Sequence, residues 1–106
     1  GGTGASQYWH DSKAHEIAMT LAKNNKLIAA SSHAPVILAV AGLLNGKKAT
    51  GHITVYEKLK VAGAIYTGSK LERDGNIITC TGPNAAKEFG KALGQAIGET
   101  FETTGV

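Results

Sequence analysis

The sequence predicts an α/β domain with a mostly parallel sheet covered by helices on both faces. Short apolar runs alternate with segments whose apolar residues recur at helical spacing. The junctions between them are turns rich in glycine, asparagine and serine. Between two strand-like runs, the Asp74-Gly75 pair favours a tight hairpin.

Taken in order, Asp11 or Ser12 can cap a first helix whose apolar face is Ala14, Ile17, Ala18 and Leu21, ended by Asn24-Asn25. Lys26 to Ala30 reads as a short buried strand, and Ser31-Ser32-His33 as a sharp turn. Pro35 suits the first turn of the next helix, where its missing N–H costs nothing. That helix carries Val36, Ile37, Val40 and Ala41 and stops at Gly42 or Asn45-Gly46. Lys48-Ala49-Thr50 forms a further strand leading to Gly51-His52, and Val55 to Lys60 a brief helix. Ile65 to Leu71 and Asn76 to Thr79 flank the turn Arg73-Asp74-Gly75 as strands. Gly82-Pro83-Asn84 opens a final helix with the apolar face Ala85, Phe89, Ala92, Leu93, Ala96 and Ile97; the polar tail after Glu99 is expected to fray.

At 106 residues and 42% apolar, the chain has the size of one small domain. No apolar run reaches the roughly 18 residues that span a bilayer, so no membrane partner is expected. No secretory leader is visible. The single Cys80 excludes an internal disulfide framework and fits a reducing, cytoplasmic setting. A net charge of +3 with scattered lysines, adjacent only at Lys47-Lys48, gives no basic stripe for nucleic acid. Gly1-Gly2-Thr3-Gly4 resembles a tight loop that normally follows a strand. The chain is therefore expected to be the later part of a domain, stable only with its N-terminal half as a second chain or missing segment.

In open parallel sheets the site lies at the carboxyl ends of the strands. The loops Gly1–Gly4, Ser31–Pro35 and Gly51–Thr54 are expected to converge there. A strand of small residues, a turn bearing one nucleophilic side chain and an immediate helix make the nucleophile-elbow arrangement, with Ser32 as the nucleophile. The helix N-terminus offers N–H groups and partial positive charge. The backbone N–H of His33, with that of Gly2, could form an oxyanion hole. Spacing alone leaves another reading open, because Ser-Ser-His also makes an ordinary helix cap.

The motifs Gly1-Gly2-Thr3-Gly4-Ala5, Ala29-Ala30-Ser31-Ser32-His33-Ala34-Pro35, Ala41-Gly42-Leu43-Leu44, Lys47-Lys48-Ala49-Thr50, Asp74-Gly75-Asn76-Ile77-Ile78-Thr79 and Gly82-Pro83 stand in one order and spacing. In them the chain resembles the later part of a domain of the ThiJ/PfpI family, within the class I glutamine amidotransferase-like superfamily. The resemblance implies a flavodoxin-like three-layer sandwich whose N-terminal strands are missing from this chain. It implies glyoxalase, deglycase or intracellular protease activity on a small carbonyl compound or peptide, or a chaperone role, in a homodimer or higher oligomer. The family's nucleophile is a cysteine, at the position that here is Ser32, followed often by a histidine matching His33; a second histidine matches His52. The glutamate that usually bonds the nucleophile would lie in the missing part.

Ser32 departs from that pattern, because a serine hydroxyl has no thiolate-like population and needs a general base, for which His33 and His52 are the candidates. An engineered Cys-to-Ser substitution, a natural serine variant and a member that has lost catalysis are all compatible with it. Thr81 replaces an arginine common in relatives before Gly-Pro. His10 and His15 lie about 140° apart on a helix, which disfavours a metal site with Asp11 and Glu16. No metal or cofactor is expected. Cys80 reads as a buried structural thiol. Tyr8-Trp9 either walls the pocket or packs at an interface, and Gly90, Gly94 and Gly98 permit a tight helix–sheet or dimer contact. The first functional reading is an enzyme; the rival is a non-catalytic stress or chaperone-type protein on the same fold.

Overall fold

The computed structural model describes residues 9–103. The Asp11 carboxylate starts α1 (Ser12–Lys23) by accepting the N–H groups of Lys13 and Ala14 at 2.8 and 3.1 Å. Strand β1 (Ile28–Ser31) leads into α2 (Pro35–Val40), followed by β2 (Lys48–Ala49). A 3₁₀ turn (Ile53–Val55) continues into α3 (Tyr56–Val61), and then come β3 (Ile65–Tyr66), β4 (Leu71–Asp74) and β5 (Ile77–Cys80). A second 3₁₀ turn (Pro83–Ala85) opens α4 (Ala86–Thr103).

One device ends the first three helices. After α1, Asn25 takes φ +54°, its N–H bonds Ala22 and that of Lys26 bonds Leu21. Gly42 (φ +82°) after α2 and Gly63 (φ +87°) after α3 repeat the pattern, with Leu43 to Leu38 and Ala64 to Leu59 as the long bonds. This is the Schellman closure, which needs a left-handed residue and therefore selects Gly or Asn. It explains why α2 has only six residues despite the apolar run beyond it.

The strands form two hydrogen-bonded sheets. The first has order β1-β5-β4, with β1 parallel to β5 in the register Ile28–Ile77 to Ser31–Cys80; the second is the parallel pair β2-β3. Strand β4 runs antiparallel to β5 through Gly75-Asn76, as the predicted hairpin requires, so the architecture is α/β with mixed strand pairing, parallel outside that hairpin among the described residues. The expected strand from Ile65 to Leu71 is two separate pieces. Its start, β3, pairs with β2, and only its end, Leu71, enters the hairpin with β5. Thr50 joins the sheets: its N–H donates to the buried Thr79 hydroxyl on β5 (2.9 Å), and its own hydroxyl donates to the Ser69 carbonyl (2.6 Å).

The core is built on Val36, Leu44, Val55, Leu59 and Ile78, all essentially buried. Each such side chain is worth about 1.5–3 kcal/mol relative to exposure. At the surface the structure departs from expectation in two helix faces, in one of the two contacts expected of the α4 glycines, and at the end of α4. Ile17 of α1 and Ile97 of α4 stand outside the core at 59% and 63% exposure. Gly90, Gly94 and Gly98 are exposed and have nothing within 4 Å of an added Cβ, so they make no tight helix–sheet contact among the described residues. Helix α4 also runs past Glu99 to Thr103, where a frayed tail was expected. Among the described residues, no helix is long and apolar enough to cross a membrane.

Candidate functional site

The end of β1 turns sharply through Ser31–Ala34, closed by the Ala34 N–H on the Ser31 carbonyl at 3.0 Å. Ser32 takes φ +60°, a left-handed conformation that costs a residue with a Cβ about 1–2 kcal/mol. This is the strained bend expected of the elbow. Its N–H continues the sheet by donating to the Cys80 carbonyl (2.9 Å), and its carbonyl accepts the His52 N–H (2.7 Å). Two of the three loops thus meet as expected; Gly1–Gly4, and with it Gly2, lies outside the described residues.

Ser32 is only 4% exposed, and its Oγ lies 3.0 Å from His33 Nδ1. The His33 and His52 rings stack with centroids 4.5 Å apart and planes 19° from parallel. Thr54 Oγ1 stands between them, 2.8 Å from His52 Nδ1 and 3.2 Å from His33 Nε2. The three residues singled out from the sequence are therefore gathered at one point, joined by a hydroxyl that sequence reasoning missed. Its only advance signal was its place two residues after His52 in a converging loop.

The helix-terminus expectation needs correction. With α2 so short, its first amides are already satisfied: Val36 N–H bonds the His33 carbonyl at 3.4 Å and Ile37 N–H the Ala34 carbonyl at 2.9 Å. Of the amides around the turn, that of His33 has no acceptor among the described residues. The available electrostatic help beside Ser32 is that one N–H, with little helix dipole behind it.

Backbone packing explains two glycines here. A Cβ on Gly51 would lie 3.0 Å from both the Ser32 carbonyl oxygen and Val55 Cγ2. Gly82, at φ +145°, holds a conformation open to glycine alone, and its Cβ would approach Ser32 Cβ and Oγ to 3.7 Å. Trp9 also acts at the elbow. Packed against the core, it donates its indole N–H to the His33 carbonyl at 2.9 Å, under Lys58 Nζ at 5.3 Å from the ring centroid. A cavity of about 430 Å³ opens beside the site, lined by His52, Ile53, Tyr66, Thr81 and Asn84. There Thr81 donates its hydroxyl to Asn84 Oδ1 at 2.9 Å.

Cys80 is buried, and desolvation pushes its thiol above the usual range despite nearby backbone N–H groups of Gly82 and Ser32. His10 and His15 do not converge: His15 Nε2–H donates to the Trp9 carbonyl, and no metal-holding cluster of His, Cys, Asp or Glu occurs among the described residues.

Comparison with known proteins sets this geometry in a family. The DJ-1/PfpI family model matches residues 1–96. A protein of Methanocaldococcus jannaschii is 40% identical over 96% of this chain and 51% of its own length. An isonitrile hydratase of Pseudomonas putida is 30% identical over 92% of this chain and 42% of its own. A deglycase of Thermococcus kodakarensis is 33% identical over 76% of this chain and 51% of its own. The chain thus spans about half the length of these curated relatives. Among solved structures, a ThiJ/PfpI domain protein from Brachyspira murdochii superposes with a TM-score of 0.90 at 25% identity, over 93% of this chain and 57% of that one. Drosophila melanogaster DJ-1beta gives 0.76 at 33% identity, over 84% and 48%. A match of this extent, in sequence and in structure, makes the chain a member of the DJ-1/PfpI family.

Proposed function

We propose that the chain carries the nucleophile-bearing part of a DJ-1/PfpI enzyme acting on small carbonyl compounds, with Ser32 in the nucleophile's place. The observation that carries this is the pre-formed pair of Ser32, strained at φ +60°, and His33, whose Nδ1 lies 3.0 Å from the hydroxyl oxygen. A serine needs a base within about 2.6–3.2 Å, and this one is in range. In the step we envisage, His33 Nδ1 takes the Ser32 proton as Oγ bonds the carbonyl carbon. The developing oxyanion lies near the His33 N–H and then recovers the proton, leaving a neutral hemiacetal-type adduct. His52 lines the adjoining cavity and is the second acid–base candidate. The deglycase and isonitrile hydratase among the relatives support chemistry at polarised small-molecule carbon. A relative named as a putative cysteine protease keeps a peptide substrate within the same reading.

The rest of the domain would complete this unit. Ala29 of β1 is exposed, Val61 is 89% and Val40 42% exposed, and no strand pairs the second edge of β1 among the described residues. An N-terminal half, in the same chain or as a second one, would cover those faces, with the Gly2 N–H of this chain as the second oxyanion donor, and a homodimer or higher oligomer would form from the completed domain.

The experiment is turnover of methylglyoxal and labelling by a fluorophosphonate, which forms a phosphorus–oxygen bond to serine with loss of fluoride. Labelling confined to Ser32 and lost in Ser32→Ala supports the enzyme reading. Ser32→Cys should raise turnover or confer thiol reactivity. If the complete protein shows neither labelling nor any gain in the cysteine variant, the non-catalytic stress or chaperone reading takes its place; the near-complete burial of Ser32 is the observation favouring that rival.

A further inference from the structure

We infer that Thr54 is a positioning residue whose single hydroxyl proton fixes the tautomers of both histidines, making His33 Nδ1 a base and leaving His52 Nε2–H as a donor. The inference rests on the reading of Ser32 and His33 as a reactive pair and adds to it what sets the base.

Proton counting gives the assignment. The Thr54 backbone N–H donates to His52 Nδ1 at 3.2 Å, so that nitrogen is the acceptor of its ring and carries no proton. The Thr54 hydroxyl oxygen lies 2.8 Å from the same nitrogen. Two bare acceptors do not approach so closely without a proton between them, so the hydroxyl donates there. A threonine hydroxyl has one proton and two lone pairs. With its proton committed to His52, it can only accept from His33 Nε2 at 3.2 Å. His33 in its neutral form therefore carries its proton on Nε2, and its Nδ1 is bare where it faces Ser32 Oγ at 3.0 Å. Likewise neutral His52 holds its proton on Nε2, which has no partner among the described residues, on a side chain that lines the cavity. One exposed hydroxyl thus gives two stacked imidazoles opposite duties. Which ring nitrogen is protonated is set by what its other nitrogen meets.

The test is imidazole ¹⁵N NMR of the complete protein at a pH where both rings are neutral, in the wild type, Thr54→Val, Thr54→Ser and Ser32→Ala. The wild type should show His33 protonated at Nε2 and bare at Nδ1. Thr54→Val should lose that single tautomer and slow fluorophosphonate labelling of Ser32 by roughly 10-fold or more, the scale on which loss of a ring-orienting hydrogen bond acts. Thr54→Ser should restore both, and Ser32→Ala should leave the tautomer unchanged. A wild-type His33 protonated at Nδ1, or a tautomer indifferent to Thr54→Val, overturns the inference even if Ser32 is labelled. The tautomer readout needs no turnover, so an unreactive Ser32 would overturn the enzyme reading while the assignment stood. Because Thr54 is exposed, loss of fold is not expected to intervene.

Discussion

Replacing Ser32 by glycine and, separately, by alanine measures the strain on which the site is built. Both variants lose the Oγ–His33 hydrogen bond, so that loss cancels in the comparison. What differs is the backbone. At φ +60° a residue with a Cβ carries about 1–2 kcal/mol of left-handed strain, which glycine does not. Against this, glycine gives the unfolded chain more freedom, costing about 0.4–1 kcal/mol relative to alanine. The difference leaves Ser32→Gly more stable than Ser32→Ala by about 1 kcal/mol, the reverse of the order in ordinary strand or helix positions. Urea unfolding of the two variants side by side reads it as a displaced midpoint at constant slope. In a domain of this size the melting temperatures should differ by roughly 4–8 °C. An alanine variant equal to or more stable than the glycine variant would mean that the bend is relaxed and that Ser32 is not held in a strained elbow.

Three further outcomes are expected. Gly51→Ala should destabilise by about 1–3 kcal/mol, since its Cβ would press on the Ser32 carbonyl and Val55, and a shifted His52 amide resonance in a ¹⁵N–¹H spectrum should accompany it. Thr79→Val should cost about 1–3 kcal/mol in urea unfolding by leaving the buried Thr50 N–H without its acceptor; a neutral result would disprove that link between the sheets. Cys80 has its thiol raised by burial, so its contribution is present below the usual thiol range and is lost as pH climbs through the native value. Wild type should therefore lose stability relative to Cys80→Ala between neutral and strongly alkaline pH, and native Cys80 should resist iodoacetamide at neutral pH.

The parts of the fold legible in the sequence were those written in local chemistry. Asp11 announced a cap, Asn25 and Gly42 announced helix ends, and Asp74-Gly75 announced the hairpin, because each acts on the backbone within a few residues of itself. The split of 65–71 was not legible, since whether Ile65 or Leu71 faces a given partner depends on β2 and β5, distant in sequence. Ile17 and Ile97 fit their helical faces by spacing, yet what those faces meet is set by the tertiary arrangement. At the site, Ser32, His33 and His52 stood in recognisable positions. Thr54 did not, because a place two residues after His52 in a converging loop does not tell that its oxygen lies between two rings.

How the bend survives bears on where the site draws its precision. Four hydrogen bonds hold it, its own closing bond from Ala34 N–H to the Ser31 carbonyl and three to other parts of the chain: Ser32 N–H to Cys80 on β5, His52 N–H to the Ser32 carbonyl, and the Trp9 indole to the His33 carbonyl. At about 0.5–1.5 kcal/mol each, they together exceed the about 1–2 kcal/mol of strain at Ser32. The conformation is thus imposed by the sheet and its neighbours, with little help from the short α2. A weakened brace should then relax the bend before it unfolds the domain. On that argument Trp9→Phe, which removes one bond while keeping an aromatic in the core, should cost about 1 kcal/mol of stability and slow Ser32 labelling, whereas a loss of stability with unchanged labelling would show the bend to be held without Trp9.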